Sequence, residues 1–384
     1  MIAKISIIII IGTLLLFAYF DWAFLQPRKK KWWWRLLWGL PILFIAATLQ
    51  QAEEKDFVPD DIEKLFAYFD LLFVIAFPWA MFCLCSIIGR LFKKAKAGRN
   101  VGIAMAIICA ATYLYGRHIG FYELEVKRVD LSFSDLPPAF EGYRIVQFSD
   151  AHLGTYTGPR KEILQRAVDS INSQKADVVV FTGDLQNKLP YEIEPHMNLL
   201  SKIKAPDGVY SVLGNHDYSE YTNRSYEEEF ENRELTKALQ EEMGWRLLTN
   251  GHNIVRRGQD SIIIAGMEND GEGRFPQFGN IQHTLWGVSR SAFVVMLEHD
   301  PTAWRRKILP QCHAQLTLSG HTHGGQFHIF GWSPTNLEYK EAEGLHQAGQ
   351  RKIYVSKGLG GVIPIRIGCP GEIVVITLHH KQQS

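Results

Sequence analysis

In the stretch Gly320-His321-Thr322-His323-Gly324-Gly325, two imidazoles stand two positions apart. They come directly after the apolar run Ala314 to Ser319 and directly before two glycines. Read as a strand running into a tight turn, this stretch presents both imidazoles at a strand end. A His-x-His pair alone is a weak signal. Upstream, however, lie Asp150-Ala151-His152, Gly183-Asp184, Gly214-Asn215-His216-Asp217 and Glu298-His299, each following an apolar run and each offering a nitrogen or oxygen donor. Asp150, His152, Asp184, Asn215, His299, His321 and His323 make seven candidate metal ligands, with no cysteine among them. Mixed oxygen and nitrogen donors suit divalent Mn, Fe, Zn, Co or Ni. Seven side chains exceed the needs of one such ion, whereas two neighbouring ions use them all if one carboxylate bridges. Two-metal sites clamp the attacking and leaving oxygens of a phosphoryl displacement and create hydroxide at neutral pH.

The elements that must position these groups alternate between strand and helix. Strands are expected at Arg144–Phe148, Val178–Thr182, Val209–Leu213, Phe293–Leu297, Gln315–Leu318, Ile353–Val355 and Ile373–Leu378. Shorter ones are expected near Arg246–Leu248, Asn253–Val255 and Ile262–Ala265. Helices are expected at Pro159–Ser173, with proline at its start, at Glu192–Lys202 and at the highly charged Tyr226–Met243. This alternation predicts an α/β layered fold with a second sheet. In such folds ligands bind beyond the carboxyl ends of strands, and all five clusters sit there. Residues 117–142 read as a connector: Tyr122 to Phe133 alternates like a strand, and Leu136-Pro137-Pro138 breaks it. With no long flexible linker, the soluble part is expected close to whatever precedes it.

The ordered set Asp-x-His, Gly-Asp, Gly-Asn-His-Asp, His and Gly-His-Thr-His strongly resembles the calcineurin-like metallophosphoesterases, over roughly Tyr143 to Leu378. The stretch from Lys357 to Ile373 resembles the branch of bacterial membrane-linked or exported phosphodiesterases. The resemblance implies an α/β/β/α four-layer sandwich. It implies that Asp150, His152 and His323 hold one metal and that Asn215, His299 and His321 hold the other. Asp184 would bridge them, with a bridging hydroxide as nucleophile, and manganese is the favoured ion. His216 would stabilise the transition state or protonate the leaving oxygen, helped by Asp217, which can orient an imidazole; the family often has Glu at that last position.

The first 116 residues differ in kind. Four apolar segments, Ile2–Leu25, Trp32–Leu49, Leu65–Ile88 and Val101–Tyr115, are expected to span a membrane, the second and fourth being short. Charges then set the orientation. The first loop carries Arg28, Lys29, Lys30, Lys31 and Arg35, and the third carries Arg90, Lys93, Lys94, Lys96 and Arg99. The second carries Glu53, Glu54, Asp56, Asp60 and Asp61. Loops one and three are expected in the cytoplasm and the catalytic domain, 143–384, outside it; if one short segment does not span, that domain lies in the cytoplasm. Trp32-Trp33-Trp34 reads as an interfacial anchor. Asp70, inside the third segment, is expensive in lipid and calls for a protein or interfacial environment.

Other features carry less. A balance of 41 Lys+Arg against 40 Asp+Glu gives no sign of a nucleic-acid partner. Cys83, Cys85 and Cys109 read as packing residues, and Cys312 and Cys369 have no metal-type spacing. His252, His283, His313, His328, His346, His379 and His380 read as surface or packing histidines. Gly358, Gly360 and Gly361 suit either a phosphate approach or a tight turn. The function expected is a membrane-anchored, metal-dependent phosphoesterase acting on a phosphodiester or pyrophosphate bond of a lipid-linked or envelope substrate. One relative of the branch hydrolyses the pyrophosphate of UDP-2,3-diacylglucosamine in lipid A synthesis, a cytoplasmic substrate at odds with the expected topology. A reading of another class is a membrane scaffold or lipid-binding protein whose phosphoesterase domain is not essential.

Overall fold

The computed structural model describes residues 2–26, 36, 39–53, 56 and 58–381. Arg28, Lys29, Lys30, Lys31, Arg35, the tryptophans Trp32, Trp33 and Trp34, and Glu54 lie outside the described residues. The chain falls into two compact units, Met1–Ile119 and Gly120–Ser384.

The first unit is built of apolar helices. Among the described residues, three are long and apolar enough to cross a membrane: Ser6–Leu25, Ile62–Leu91 and Ala95–Tyr122. The second of the four expected spans is represented by Gly39–Glu53, a helix of 15 residues. At ~1.5 Å per residue its described residues reach about 22 Å, against the ~30 Å hydrocarbon core. The helix from Ile62 starts where Asp61 caps the backbone N–H of Glu63 at 3.2 Å. Near the turn at 92–94, the helix ending at Leu91 and the one starting at Ala95 meet backbone to backbone. A methyl group on Gly89 would lie 2.5 Å from Cα of Gly98, so only small residues permit this crossing. Asp70 is partnered within this unit: its Oδ1 accepts from Tyr113 Oη at 2.6 Å and from Arg117 Nε at 3.1 Å. Arg117 in turn lies 4.9 Å over the Phe66 ring.

Among its described residues the second unit holds twelve strands: β1 (Leu124–Phe133), β2 (Tyr143–Phe148), β3 (Val178–Phe181), β4 (Val209–Ser211), β5 (Arg246–Leu247), β6 (Gly251–Arg257), β7 (Asp260–Gly266), β8 (Phe293–Leu297), β9 (Leu316–Ser319), β10 (Gly344–Ala348), β11 (Arg351–Val355) and β12 (Gly371–His380). They form two six-stranded sheets, ordered β1-β12-β2-β3-β4-β5 and β10-β11-β9-β8-β7-β6. The apolar faces of both sheets meet in one core that includes Ile145, Val178, Val180, Ile264, Val295, Leu316 and Ile376. The outer face of the first sheet packs on the helix Lys161–Ser173 through Ile163, Leu164, Ala167 and Ile171. The outer face of the second is covered by Ile281, Trp304 and Ile308.

The direction of the strands decides where the site falls. β2, β3, β4 and β5 run parallel, as do β7, β8, β9 and β11. β12 runs antiparallel to β2, and β1 runs parallel to β12. Both β1 and β12 therefore begin at the edge where β2 ends. The helix expected over Glu192–Lys202 is broken into turns at Pro190–Glu192 and Glu194–His196 and a short helix, Met197–Leu200. Pro195, lacking an N–H, interrupts it. β10 has no counterpart among the expected strands; it is an edge strand with the polar residues His346 and Gln347 and no fully buried position.

Candidate active site

The loops after β2, β3, β4, β8 and β9 bring all seven predicted ligand residues into one buried cluster. Five of them, Asp150 (φ 51°), His152 (φ 51°), Asp184 (φ 60°), His321 (φ 74°) and His323 (φ 54°), have left-handed backbone. Asp and His tolerate that region better than bulky or branched residues do. Each such turn aims a side chain back over its strand end, as strained positions at functional sites do.

The donors form two groups. Asp150, His152, Asp184 and His323 place one ligand atom each within 4.8 Å of one another, and so do Asp184, His299 and His321. Nε2 of His152 and Nε2 of His323 face each other at 3.2 Å. His323 Nε2 lies 3.6 Å from Asp150 Oδ1, and His152 Nε2 lies 3.7 Å from Asp184 Oδ2. In the second group His299 Nε2 is 3.2 Å from the same Asp184 Oδ2 and 3.1 Å from Asn215 Oδ1. His321 Nδ1 is 2.7 Å from Asn215 Oδ1. One carboxylate oxygen thus faces both groups.

These contacts fit cations. Two imidazole nitrogens cannot face each other as lone pairs without a proton or a metal ion between them. His299 donates Nδ1–H to the Thr182 carbonyl at 2.7 Å, so its Nε2 is the atom presented to two oxygens. Asp150, His152, Asp184 and His299 are all buried, and buried charge must be paired or bound to metal. Burial pushes the His152 imidazole down to about 3, keeping it neutral, and pushes Asp150 up to about 7. Burial alone would lower His299 as well, but the charges of Asp184 and Asp150 pull it up to about 10. Burial likewise opposes ionisation of Asp184, yet His299 and His216 hold it well below the usual carboxylate range. The field at the centre of the cluster favours positive charge.

A ring of neighbours sets these side chains. Asn215 donates Nδ2–H to Tyr221 Oη at 2.8 Å, which turns its oxygen toward the cluster. Tyr339 Oη lies 3.1 Å from His321 Nε2. Oδ1 and Oδ2 of Asp150 accept from the His321 backbone N–H at 3.0 and 3.2 Å. Gly360 donates its N–H to the Asp150 carbonyl and Leu359 donates to Ser149. Gly358, at φ 72°, comes so close that an added methyl would lie 2.6 Å from Asp150 Cβ. The glycines at 358 and 360 therefore lock the Asp150 turn. Arg366, fully buried, holds their loop by donating to the carbonyls of Lys357, Gly358 and Gly360 and of Cys369 and Pro370.

His216 and Asp217 part company. His216 donates Nδ1–H to the Asn187 carbonyl at 2.6 Å, and its ring stands 4.8 Å from that of His152. It is half-buried and is outside both donor groups. Asp217, expected to orient this imidazole, instead accepts four backbone N–H bonds, from Asp184, Leu185, Gln186 and Gly214. The turn after β4 points the carboxylate into the loop after β3, where bare N–H groups need an acceptor. Burial and the charge of Asp184 raise Asp217 to about 7 against these donors. His252, His283 and His346 each bond a backbone carbonyl, as packing histidines do, whereas His328 Nε2 lies 2.9 Å from the Gly324 carbonyl and 3.2 Å from Glu343 Oε2, in a group with Cys369 whose donors lie close enough together for an ion.

Residues 143–325 match the family described as Calcineurin-like phosphoesterase. The chain is 33% identical over 299 residues to an uncharacterized metallophosphoesterase of Bacillus subtilis (strain 168), YkuE, covering 75% of this chain and 96% of that relative. The chain belongs to the calcineurin-like metallophosphoesterases. A transmembrane protein with metallophosphoesterase domain from Danio rerio is 30% identical over 311 residues, which cover 76% of this chain and 67% of the relative. The UDP-2,3-diacylglucosamine pyrophosphatase LpxG of Chlamydia muridarum (strain MoPn / Nigg) is 28% identical over 327 residues, covering 71% of this chain and 96% of LpxG. As a metallophosphoesterase, the protein is a metal-dependent hydrolase, and its buried His/Asp cluster is where metal binds.

Several residues of this metallophosphoesterase escaped the sequence reading. Asn187 acts through its carbonyl, which no side-chain pattern reveals. Tyr221 and Tyr339 lie in loops whose approach depends on the tertiary fold. Arg366 did carry a signal: a charge between Ile365 and Ile367 in an apolar, Gly- and Pro-rich stretch must be paired where it is buried.

Proposed function

We propose that the protein is a membrane-anchored dinuclear-metal phosphoesterase that hydrolyses a phosphodiester or pyrophosphate bond in a lipid-linked or envelope substrate. The sharing of Asp184 Oδ2 between two donor groups carries this reading, because one carboxylate oxygen aimed at both groups is what two adjacent ions require. Asp150, His152 and His323 would hold one ion, Asn215, His299 and His321 the other, and Asp184 both. Divalent ions held there supply Lewis acidity toward phosphoryl oxygens and a nucleophile of hydroxide strength at neutral pH. The left-handed turns hold the donors in place before substrate arrives. The Asn187 carbonyl takes up Nδ1–H of His216, which leaves Nε2 as the ring nitrogen that, with the imidazole protonated, would pass a proton to the departing oxygen. Manganese is the favoured ion, in keeping with a donor set free of sulfur.

The basic turn between the last two spanning-length helices, with Arg90, Lys93, Lys94, Lys96 and Arg99, favours a cytoplasmic turn and a catalytic unit outside. The likeness to LpxG favours a second reading, cleavage of the pyrophosphate of UDP-2,3-diacylglucosamine, which requires the opposite orientation.

The test is hydrolysis of a chromogenic phosphodiester by the full chain in detergent, with manganese, after chelation, and with Asp184→Asn and His216→Ala. Manganese-dependent turnover lost in Asp184→Asn is expected. His216→Ala is expected to keep its metal and lose rate. A folded protein that binds no metal would sink the reading. A reporter fused after Ser384, together with an assay on UDP-2,3-diacylglucosamine, separates the two substrates.

A further inference from the structure

The loop that follows the second His of the His-x-His pair leaves the fold. After Gln326, Phe327 bridges to Ile367, and His328 donates its N–H to the Ile367 carbonyl at 2.7 Å. Ile329 and Trp332 then exchange both backbone hydrogen bonds at 3.0 Å, closing a two-residue hairpin turn over Phe330 and Gly331. Both turn residues have positive φ, 52° and 78°, the geometry that two-residue hairpins demand. That conformation suits Asn or Gly and strains a phenylalanine. Phe330 is nevertheless the tip residue and is fully exposed. Ile329 and Trp332 are half exposed, and Leu337, a few residues on, is 81% exposed. These apolar side chains gather in one short loop next to the active site, unlike singly scattered surface apolar residues.

The strand directions place this loop. β1 begins at the edge where the metal-site loops lie, because it runs parallel to β12 and β12 antiparallel to β2. Leu124 pairs with Gly371, and the Gly371 N–H donates to Glu123. Ile367, at the base of the hairpin, is four residues before Gly371, a stretch that reaches at most ~14 Å. Tyr122 is the last residue of the third helix of membrane-spanning length. Within this unit, the base of the hairpin, the catalytic edge and Glu123 and Leu124, by which the chain enters β1, therefore lie together.

We propose that the Ile329–Trp332 hairpin, with Leu337, inserts into the lipid layer of the membrane that anchors the chain, and holds the active site against lipid-borne phosphate esters. An aromatic tip suits the bilayer interface, where Trp and other amphipathic rings concentrate. The insertion stands on the hairpin and the topology; only its effect on turnover rests on the phosphoesterase reading above.

The experiment uses the full chain reconstituted in phosphatidylcholine vesicles with plain or brominated acyl chains. The emission lost in Trp332→Phe reports on Trp332 alone, and brominated lipid is expected to quench it. In the same vesicles, Phe330→Ser is expected to slow hydrolysis of a vesicle-borne phosphodiester about tenfold, the effect of losing one inserted aromatic side chain. It should leave a water-soluble chromogenic diester unaffected. Trp332 emission indifferent to bromination would overturn the proposal, as would equal slowing of both substrates. Emission that follows protein density in the vesicle instead of bromination would assign the hairpin to a second copy of the chain and would also overturn it. If the wild type hydrolyses neither substrate, the phosphoesterase reading fails while the quenching still decides the insertion.

Discussion

Asp217→Asn tests how the site is held. The Asp217 carboxylate is fully buried, with Oδ1 accepting from Leu185 at 2.9 Å and Gln186 at 3.3 Å. Oδ2 accepts from Asp184 and Gly214, each at 2.9 Å. An asparagine offers one oxygen and turns an NH2 group toward two N–H donors. Two buried backbone donors then lose their acceptor, at ~1–3 kcal/mol each. The sum, about 2–6 kcal/mol, is a large part of the ~5–15 kcal/mol that holds a typical domain. At roughly 2–4 °C per kcal/mol for a domain of this size, the melting temperature should fall by about 5–20 °C. The chemistry suffers indirectly, because the released N–H groups include that of Asp184, whose carboxylate faces both donor groups. Loss of such a supporting partner typically weakens metal affinity by ~10–100-fold. Manganese titration, thermal unfolding and turnover at saturating manganese should be measured on the same full-length variant. Weak metal binding and lowered stability are expected, with much of the rate restored by excess manganese because His216 and its Asn187 contact are intact. If stability and metal affinity stay at wild-type values while kcat drops and the pH profile shifts, Asp217 acts through the imidazole and the reasoning fails.

Gly358→Ala forces a methyl group to 2.6 Å from Asp150 Cβ at a left-handed backbone, so metal counting should show preferential loss of the ion nearest Asp150, toward one per chain. His196 is pushed down to about 4, first by burial and then by Lys161. The folded state therefore binds this proton less readily than the unfolded chain, whose histidine titrates at the ordinary 6.5. Stability from this group is full above pH 6.5 and is lost as pH falls toward 4, and His196→Gln should flatten that part of the melting curve against pH. In the first unit, Arg117→Gln leaves the Asp70 carboxylate without its cation and should lower the unfolding midpoint in detergent; adding Asp70→Asn should restore most of the loss, whereas strictly additive losses would deny the pair.

The clustering of the seven candidate ligands was legible because their chemistry resides in side-chain type and their placement follows from strand ends. Each of the seven candidates reaches the cluster for those two reasons. Asp217 was legible as a site residue but not in its partner, since an acidic side chain next to a histidine can equally serve the backbone of a neighbouring turn. Only the crossing of the loops after β3 and β4 decides between the two. Pro195 carried the information that breaks the helix at Glu192–Lys202, and apolar periodicity around it concealed the break. Arg366 and the tyrosines belong to contacts between loops far apart in sequence, which local patterns do not encode.

Left-handed backbone at Asp150, His152, Asp184, His321 and His323 has a consequence for biogenesis. A nascent chain rarely visits that conformation at five such places together, so it carries no ready-made chelate. The donors are also scattered: Asp150 and the His321 amide that binds it are 171 positions apart. A ribosome-bound chain that has not yet completed β9 possesses only part of the site. Loading is therefore a late event, completed in the compartment where the last strands dock. Because relative affinities among divalent ions follow a fixed order, the ion acquired is decided by what that compartment supplies at the moment of closure. On the other side of the membrane the same polypeptide would draw on that compartment's ions at closure, without changing a residue.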